Sequence, residues 1–334
     1  MIKFYKLLFL NTLIMSTLIT ISSISWFSMW LGLEINLLSI IPLFKNHKNM
    51  YPAESALKYF ITQAMASTII LFSIIMSVNM NELIPQSLFM FKIMMNSGFL
   101  IKMGAAPFHF WFPEIIEGLN WTNCLLLLTW QKIAPMTVFM YNLKMSFFIT
   151  CIIILSSVIS GLMGLNQISL RKIMAYSSIN HIGWMLASML NLNLTWMVYF
   201  LCYSIISINI ILITKMLNIF YIEQTINSFK KKSTKLFFMF NFLSLGGLPP
   251  FLGFFPKWIV ANNLIDNNFF LISTIMIVLS LIPLYFYLRI TFSSVMIKTV
   301  KSFNLVQTNN FFIYMTNMIS LSGLIFSTAF FSLF

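Results

Sequence analysis

Five ionisable residues stand inside long apolar stretches: Glu34, Lys102, Lys132, His181 and Lys257. Placing such a group at membrane depth costs at least ~2.5–3.5 kcal/mol, and groups kept there usually line an ion or proton path. Glu34 and Lys102 are of opposite charge and suit each other as an ion pair, static or working. No further acid falls inside a span to balance Lys132. Burial in a low-dielectric medium disfavours the charged form of a lysine, which is the property a proton relay exploits. His181 fits a hydrogen-bonded structural histidine as well as a relay group.

Other chemistries are absent from the pattern. Cys124, Cys151 and Cys202 lie singly in apolar runs, with no CxxC pair, no disulfide framework and no metal-ligand spacing. No glycine-rich dinucleotide fingerprint follows a strand, and no cysteine set suits an iron–sulfur cluster. Metal ligands are therefore expected to be none, and redox cofactors to be none on this chain.

The elements that must hold the five residues follow from composition. Of 334 residues, 59% are hydrophobic and only 8% charged, against roughly 25% charged in a soluble domain. That excludes a water-soluble fold, and the high hydrophobicity excludes disorder. The excess of 13 positive charges is scattered singly, so it forms no nucleic-acid-binding domain. The expected class is an all-α polytopic membrane protein. A β-barrel is excluded because the apolar runs are continuous rather than alternating.

Apolar windows predict about eleven transmembrane helices: 4–24, 26–44, 55–78, 87–107, 121–143, 146–168, 172–191, 194–219, 236–258, 268–293 and 311–333. The first is expected to be a retained helix, because no cleavage site follows it. Eleven spans put twelve loop cations on the N-terminal side: Lys3, Lys6, Lys45, Lys48, Arg171, Lys172, Lys230, Lys231, Lys232, Lys235, Lys298 and Lys301. Lys144, Glu82 and Asp266 fall on the other side. The N-terminus and the positive loops thus face the cytoplasm-equivalent compartment. Lys58, Lys215 and Arg289 lie near helix ends, where snorkelling explains them.

Two spans carry clustered helix breakers. Span four ends in Lys102-Met103-Gly104-Ala105-Ala106-Pro107, and span nine contains Leu245-Gly246-Gly247-Leu248-Pro249-Pro250, then Gly253, Pro256 and Lys257. Broken backbone at membrane depth survives only against protein or a water-filled cavity. The two spans are five apart, the fourth members of two five-helix repeats, 1–143 and 146–293, with a C-terminal helix at 311–333. Five is odd, so the repeats are expected to be inverted. Discontinuous helices at matching positions of an inverted repeat mark the ion site of a transporter. Pro42, Pro135 and Pro283 are expected to produce simple kinks.

Several segments together resemble one known family. They are Gly32-Leu33-Glu34-Ile35-Asn36, the run from Lys102 to Trp111, Trp130-Gln131-Lys132-Ile133-Ala134-Pro135, the run from Leu170 to Trp184, and the run from Leu245 to Phe254. In order and across the whole chain, they are similar to the mitochondrially encoded NADH dehydrogenase subunit 2 family, the antiporter-like subunits in the membrane arm of respiratory complex I. The resemblance implies the antiporter-like fold and a proton-translocating subunit of NADH:ubiquinone oxidoreductase in the mitochondrial inner membrane. The positive loops would then face the matrix. Glu34 would be the glutamate of the first half-channel, Lys102 its partner, Lys132 the central lysine and Lys257 the lysine nearest the exit, with His181 between them. NADH, FMN, iron–sulfur clusters and ubiquinone are implied on partner subunits. The partners implied are the other complex I subunits, especially the adjacent antiporter-like ones, together with membrane lipids and no nucleic acid. A stand-alone cation/proton antiporter of the same fold is the alternative. A membrane scaffold without transport would make the intramembrane charges replaceable.

Overall fold

The computed structural model describes residues 4–45, 50–80, 87–143, 146–190, 193–229, 232–296, 314–318, 320, 321 and 323. Lys3, Lys48, Glu82, Lys144, Lys230, Lys231, Lys298 and Lys301 lie outside the described residues, as does most of the expected span 311–333. Among the described residues, the regular secondary structure is helical, apart from one isolated bridge between Ser169 and Tyr221. The chain packs as two compact units, Met1–Ile152 and Ile153–Phe334.

The first unit holds α1 (Phe4–Ser22), α2 (Trp26–Phe44), α3 (Tyr51–Met80), α4 (Ser87–Met103), α5 (Trp111–Gly118), α6 (Trp121–Leu128) and α7 (Trp130–Met140). Ser25 starts α2 by accepting a hydrogen bond from the Ser28 N–H, the usual side-chain replacement for a missing helical partner. Helices α2, α3, α4 and α7 pack around one another. At Gly98 a Cβ atom would stand 2.6 Å from Ile70, so α4 approaches α3 closely only because this position lacks a side chain. That contact is one turn from Lys102.

The second unit contains most of α8 (Ser146–Leu165), then α9 (Leu170–Met189), α10 (Asn193–Leu217), α11 (Ile222–Ser228), α12 (Lys232–Gly246), α13 (Phe254–Asp266), α14 (Phe270–Leu279) and α15 (Leu281–Met296). Its centre is α9, buried on every side from Ile173 to Met189 although it carries Ser177, Ser178, Asn180, His181 and Ser188. An all-round buried helix is normally apolar, so this one marks a polar interior.

Among the described residues, six stretches are long and apolar enough to cross a membrane by length and composition: Phe4–Ser22, Trp26–Phe44, Tyr51–Asn79, Phe147–Leu165, Leu194–Leu217 and Phe270–Ser294. Four of the other expected spans are helical but fail that test for physical reasons. α4 stops after 17 residues at its break. α9 is polar. The expected spans 121–143 and 236–258 are each divided, into α6 with α7 and into α12 with α13. Two short helices, α5 and α11, fall where loops were expected.

Near Pro135 and Pro283, where kinks were expected, the helices are interrupted upstream of the prolines. α6 gives way to α7 at Thr129, and α14 to α15 at Ser280. A proline withdraws the hydrogen bond from the carbonyl four residues before it, here Gln131 and Leu279, so the disturbance falls near those positions. Arg289 does more than reach the interface. Its guanidinium donates to the Leu165 and Gln167 carbonyls, both at 2.6 Å, and so closes the C-terminal end of α8.

Candidate functional site

The site begins with the way two helices end. At the end of α4, the Gly104 N–H donates to Ile101 and the Ala105 N–H to Leu100. At the end of α12, the Gly247 N–H donates to Ser244 and the Leu248 N–H to Leu243. Both are Schellman motifs, which require a residue in the left-handed region just past the helix. Gly104 (φ 74°) and Gly247 (φ 79°) supply it, and each stands three residues before a cis proline, Pro107 and Pro250.

A Schellman motif satisfies some terminal carbonyls and leaves the rest exposed. In a membrane those must find protein partners. Around α4, the Lys102 carbonyl accepts from Gln63 at 3.4 Å, and the Ile101 carbonyl takes a second bond, from the Trp111 indole at 3.1 Å. At α12, the Gly246 carbonyl accepts from the Lys257 ammonium at 2.7 Å. The breaks thus gather polar groups instead of wasting them.

Lys102 occupies the last turn of α4, where the helix dipole favours a cation. Its Nζ lies 3.8 Å from Glu34 Oε1, with the two side chains 5% and 24% exposed. That separation exceeds a direct hydrogen bond, so charge rather than a shared proton holds the pair. The expected pairing of Glu34 with Lys102 is present in the structure. Beside Lys102 lies a chamber of about 10 Å³, close to the least that holds one water molecule. Asn36, Tyr59, Gln63, Lys102 and Gln131 supply its polar wall.

Lys132 lies in the first turn of α7 and is buried. Its Nζ stands 5.7 Å from the Phe112 ring centre on α5, within the range of a cation–π contact. Phe112 in turn fills the space beside Gly104.

In the second unit, His181 Nδ1 is 2.8 Å from the Tyr199 hydroxyl, and its ring is 4.9 Å from that of Tyr203. Trp184, on α9 with His181, lies under Lys257, with Nζ 6.0 Å from the indole. Lys257 is on α13, after its break, whereas Lys102 is on α4, before its break. The sequence does not single out Tyr59, Gln63, Tyr199 or Tyr203. The signal available for the first two was their spacing of four on α3, which places them on one helix face.

Residues 23–283 match the family model "NADH:quinone oxidoreductase/Mrp antiporter, TM". The chain is 51% identical over 328 residues to NADH-ubiquinone oxidoreductase chain 2 of Anopheles gambiae, covering 95% of each. It is 49% identical to the protein of that name from Locusta migratoria, covering 87% of this chain and 85% of the other. Its fold matches a chain of respiratory complex I from Thermus thermophilus, with a TM-score of 0.84 at 21% identity, over 98% of this chain and 78% of that one. A chain of the Mrp complex from Dietzia sp. matches with a TM-score of 0.75 at 15% identity, over 84% of this chain and 59% of that one. The chain belongs to the NADH-ubiquinone oxidoreductase chain 2 family, with the antiporter-like all-α membrane fold.

Proposed function

We propose that Glu34, Lys102, Lys132, His181 and Lys257 are the proton-carrying groups of a core proton-translocating subunit of respiratory complex I. As a member of its family, the chain is a membrane subunit of an NADH-ubiquinone oxidoreductase. The observation that carries the relay is the Glu34–Lys102 pair, 3.8 Å apart with Lys102 buried at the end of a broken helix. While Glu34 is an anion, it favours the charged form of Lys102. When Glu34 is neutralised or moves off, Lys102 gives up its proton toward the next carrier. Moving one charge across the membrane costs about 2.3 kcal/mol per 100 mV. Close charges in a low-dielectric setting interact on at least that scale.

The chain carries no redox step in this reading. NADH, FMN, iron–sulfur clusters and ubiquinone are assigned to partner subunits, and adjacent antiporter-like subunits are its nearest partners. Within the chain, the repeats are taken as 1–143 and 146–293, with a C-terminal helix at 311–333. The location is the mitochondrial inner membrane, with the N-terminus and the positive loops in the matrix.

The test is replacement of Lys102 by Met, or of Glu34 by Gln, in the assembled complex. Loss of proton pumping with NADH oxidation and assembly intact is the expected result. Normal pumping would overturn the relay, and loss of assembly alone would favour a static ion pair. The likeness to the Mrp chain supports a second reading, a cation/proton antiporter active alone. Liposomes containing only this chain distinguish the two, because Na⁺- or K⁺-driven proton flux is expected only from the antiporter.

A further inference from the structure

Glu34, Lys102 and Lys132 sit on three different helices, α2, α4 and α7. A relay among them works only if those helices keep register. An uncharged hydrogen-bonded set ties α7 to α2.

Gln131 is its centre. Its Nε2 donates to Asn36 Oδ1 at 2.9 Å, and its Oε1 accepts from the Tyr59 hydroxyl at 3.2 Å. Asn36 is two residues from Glu34 on α2. Gln131 precedes Lys132 on α7. Tyr59 is one turn from Gln63 on α3, and Gln63 donates to the Lys102 carbonyl. Four polar side chains thus connect the segments that bear all three charged groups. The same four, with Lys102, line the small chamber. α7 begins at Trp130, directly after the interruption at Thr129, so the regular helix does not fix its first turn from the N-terminal side.

We propose that Gln131 is a positioning residue for proton translocation: clasped between Asn36 and Tyr59, it sets the first turn of α7, and with it Lys132, against Glu34 and Lys102. The inference rests on the reading of these three as proton carriers. An amide suits the task. It donates on one side and accepts on the other without being a carrier itself, so it fixes geometry and leaves the charges to the lysines. A small misplacement is costly in such a site.

The experiment uses the assembled complex in membrane vesicles and measures protons translocated per NADH oxidised. Gln131→Met keeps the length of the side chain and removes both bonds. It is expected to lower the ratio by about tenfold, within the ~100-fold that a 1 Å misplacement costs. Gln131→Glu adds a readout that general destabilisation does not produce. Its protonated carboxyl reproduces the donor and the acceptor of the amide, whereas its ionised form lacks the donor. Pumping by Gln131→Glu is therefore expected to recover as pH falls, with the native profile as the reference. Native pumping by an assembled Gln131→Met overturns the proposal. If Gln131→Met fails to assemble, Gln131→Glu decides: recovery at acidic pH supports the clasp, and a profile parallel to the native one overturns it. Lys132→Met is run alongside. Full pumping by Lys132→Met defeats the underlying relay reading and the clasp with it. Loss in Lys132→Met with native pumping in Gln131→Met defeats the clasp alone.

Discussion

Lys257 reaches back from α13 to donate to the Gly246 carbonyl at 2.7 Å, closing the broken end of α12. The contact depends on the next residue being glycine. A Cβ at Gly247 would stand 2.8 Å from Lys257 Cδ and 3.0 Å from its Nζ. Gly247 also holds φ at 79°, where an ordinary side chain costs about 1–2 kcal/mol. Gly247→Ala is therefore expected to displace the ammonium and lower the thermal stability of the complex by that order. Proton pumping should fall further than the stability loss explains. Thermal denaturation and pumping measured on one preparation check this. Unchanged pumping would show that the seat of Lys257 is immaterial.

Arg289 provides the contrasting case. It joins α15 to the end of α8 through two short charge-assisted bonds, each worth about 1.5–3 kcal/mol. Arg289→Met should reduce the amount of assembled complex. The fraction that assembles should pump at the native ratio, because the residue touches none of the proposed carriers. Native gel quantitation beside a pumping assay separates the two effects.

The Tyr199 hydroxyl is a hydrogen-bond partner of His181. Tyr199→Phe keeps the ring and removes that partner, which bears on the choice between a structural and a working histidine. If His181 carries protons, Tyr199→Phe shifts the pH profile of pumping with assembly preserved. An unshifted profile with lowered stability would mark His181 as structural.

The sequence made the charged skeleton legible and left its supports unseen. Glu34, Lys102, Lys132 and Lys257 stand out because each is an expensive group in an apolar run. The breaks at Gly104 and Gly247 stand out because glycine and proline cluster there. The interruptions at Thr129 and Ser280 do not, since each proline acts on a carbonyl upstream of itself. Asn36, Tyr59 and Gln63 do not stand out as site residues because one uncharged polar side chain in a long apolar helix costs little, and the spacing of four between Tyr59 and Gln63 shows a shared face without showing what that face meets. Only the packing of α2, α3 and α7 brings them together. The burial of α9 on all sides is equally invisible, because a span of mixed polar and apolar residues does not show which of its faces are covered.

The claim on which the rest depends is that Glu34 and Lys102 act as one unit in moving a proton. Pumping by Glu34→Gln, by Lys102→Met and by the double variant, each in assembled complex, forms a thermodynamic cycle that measures their coupling. Each single replacement is expected to abolish most of the pumping, and the double variant to be no worse than either. Independent, multiplying losses would contradict that claim, as would native pumping by either single variant.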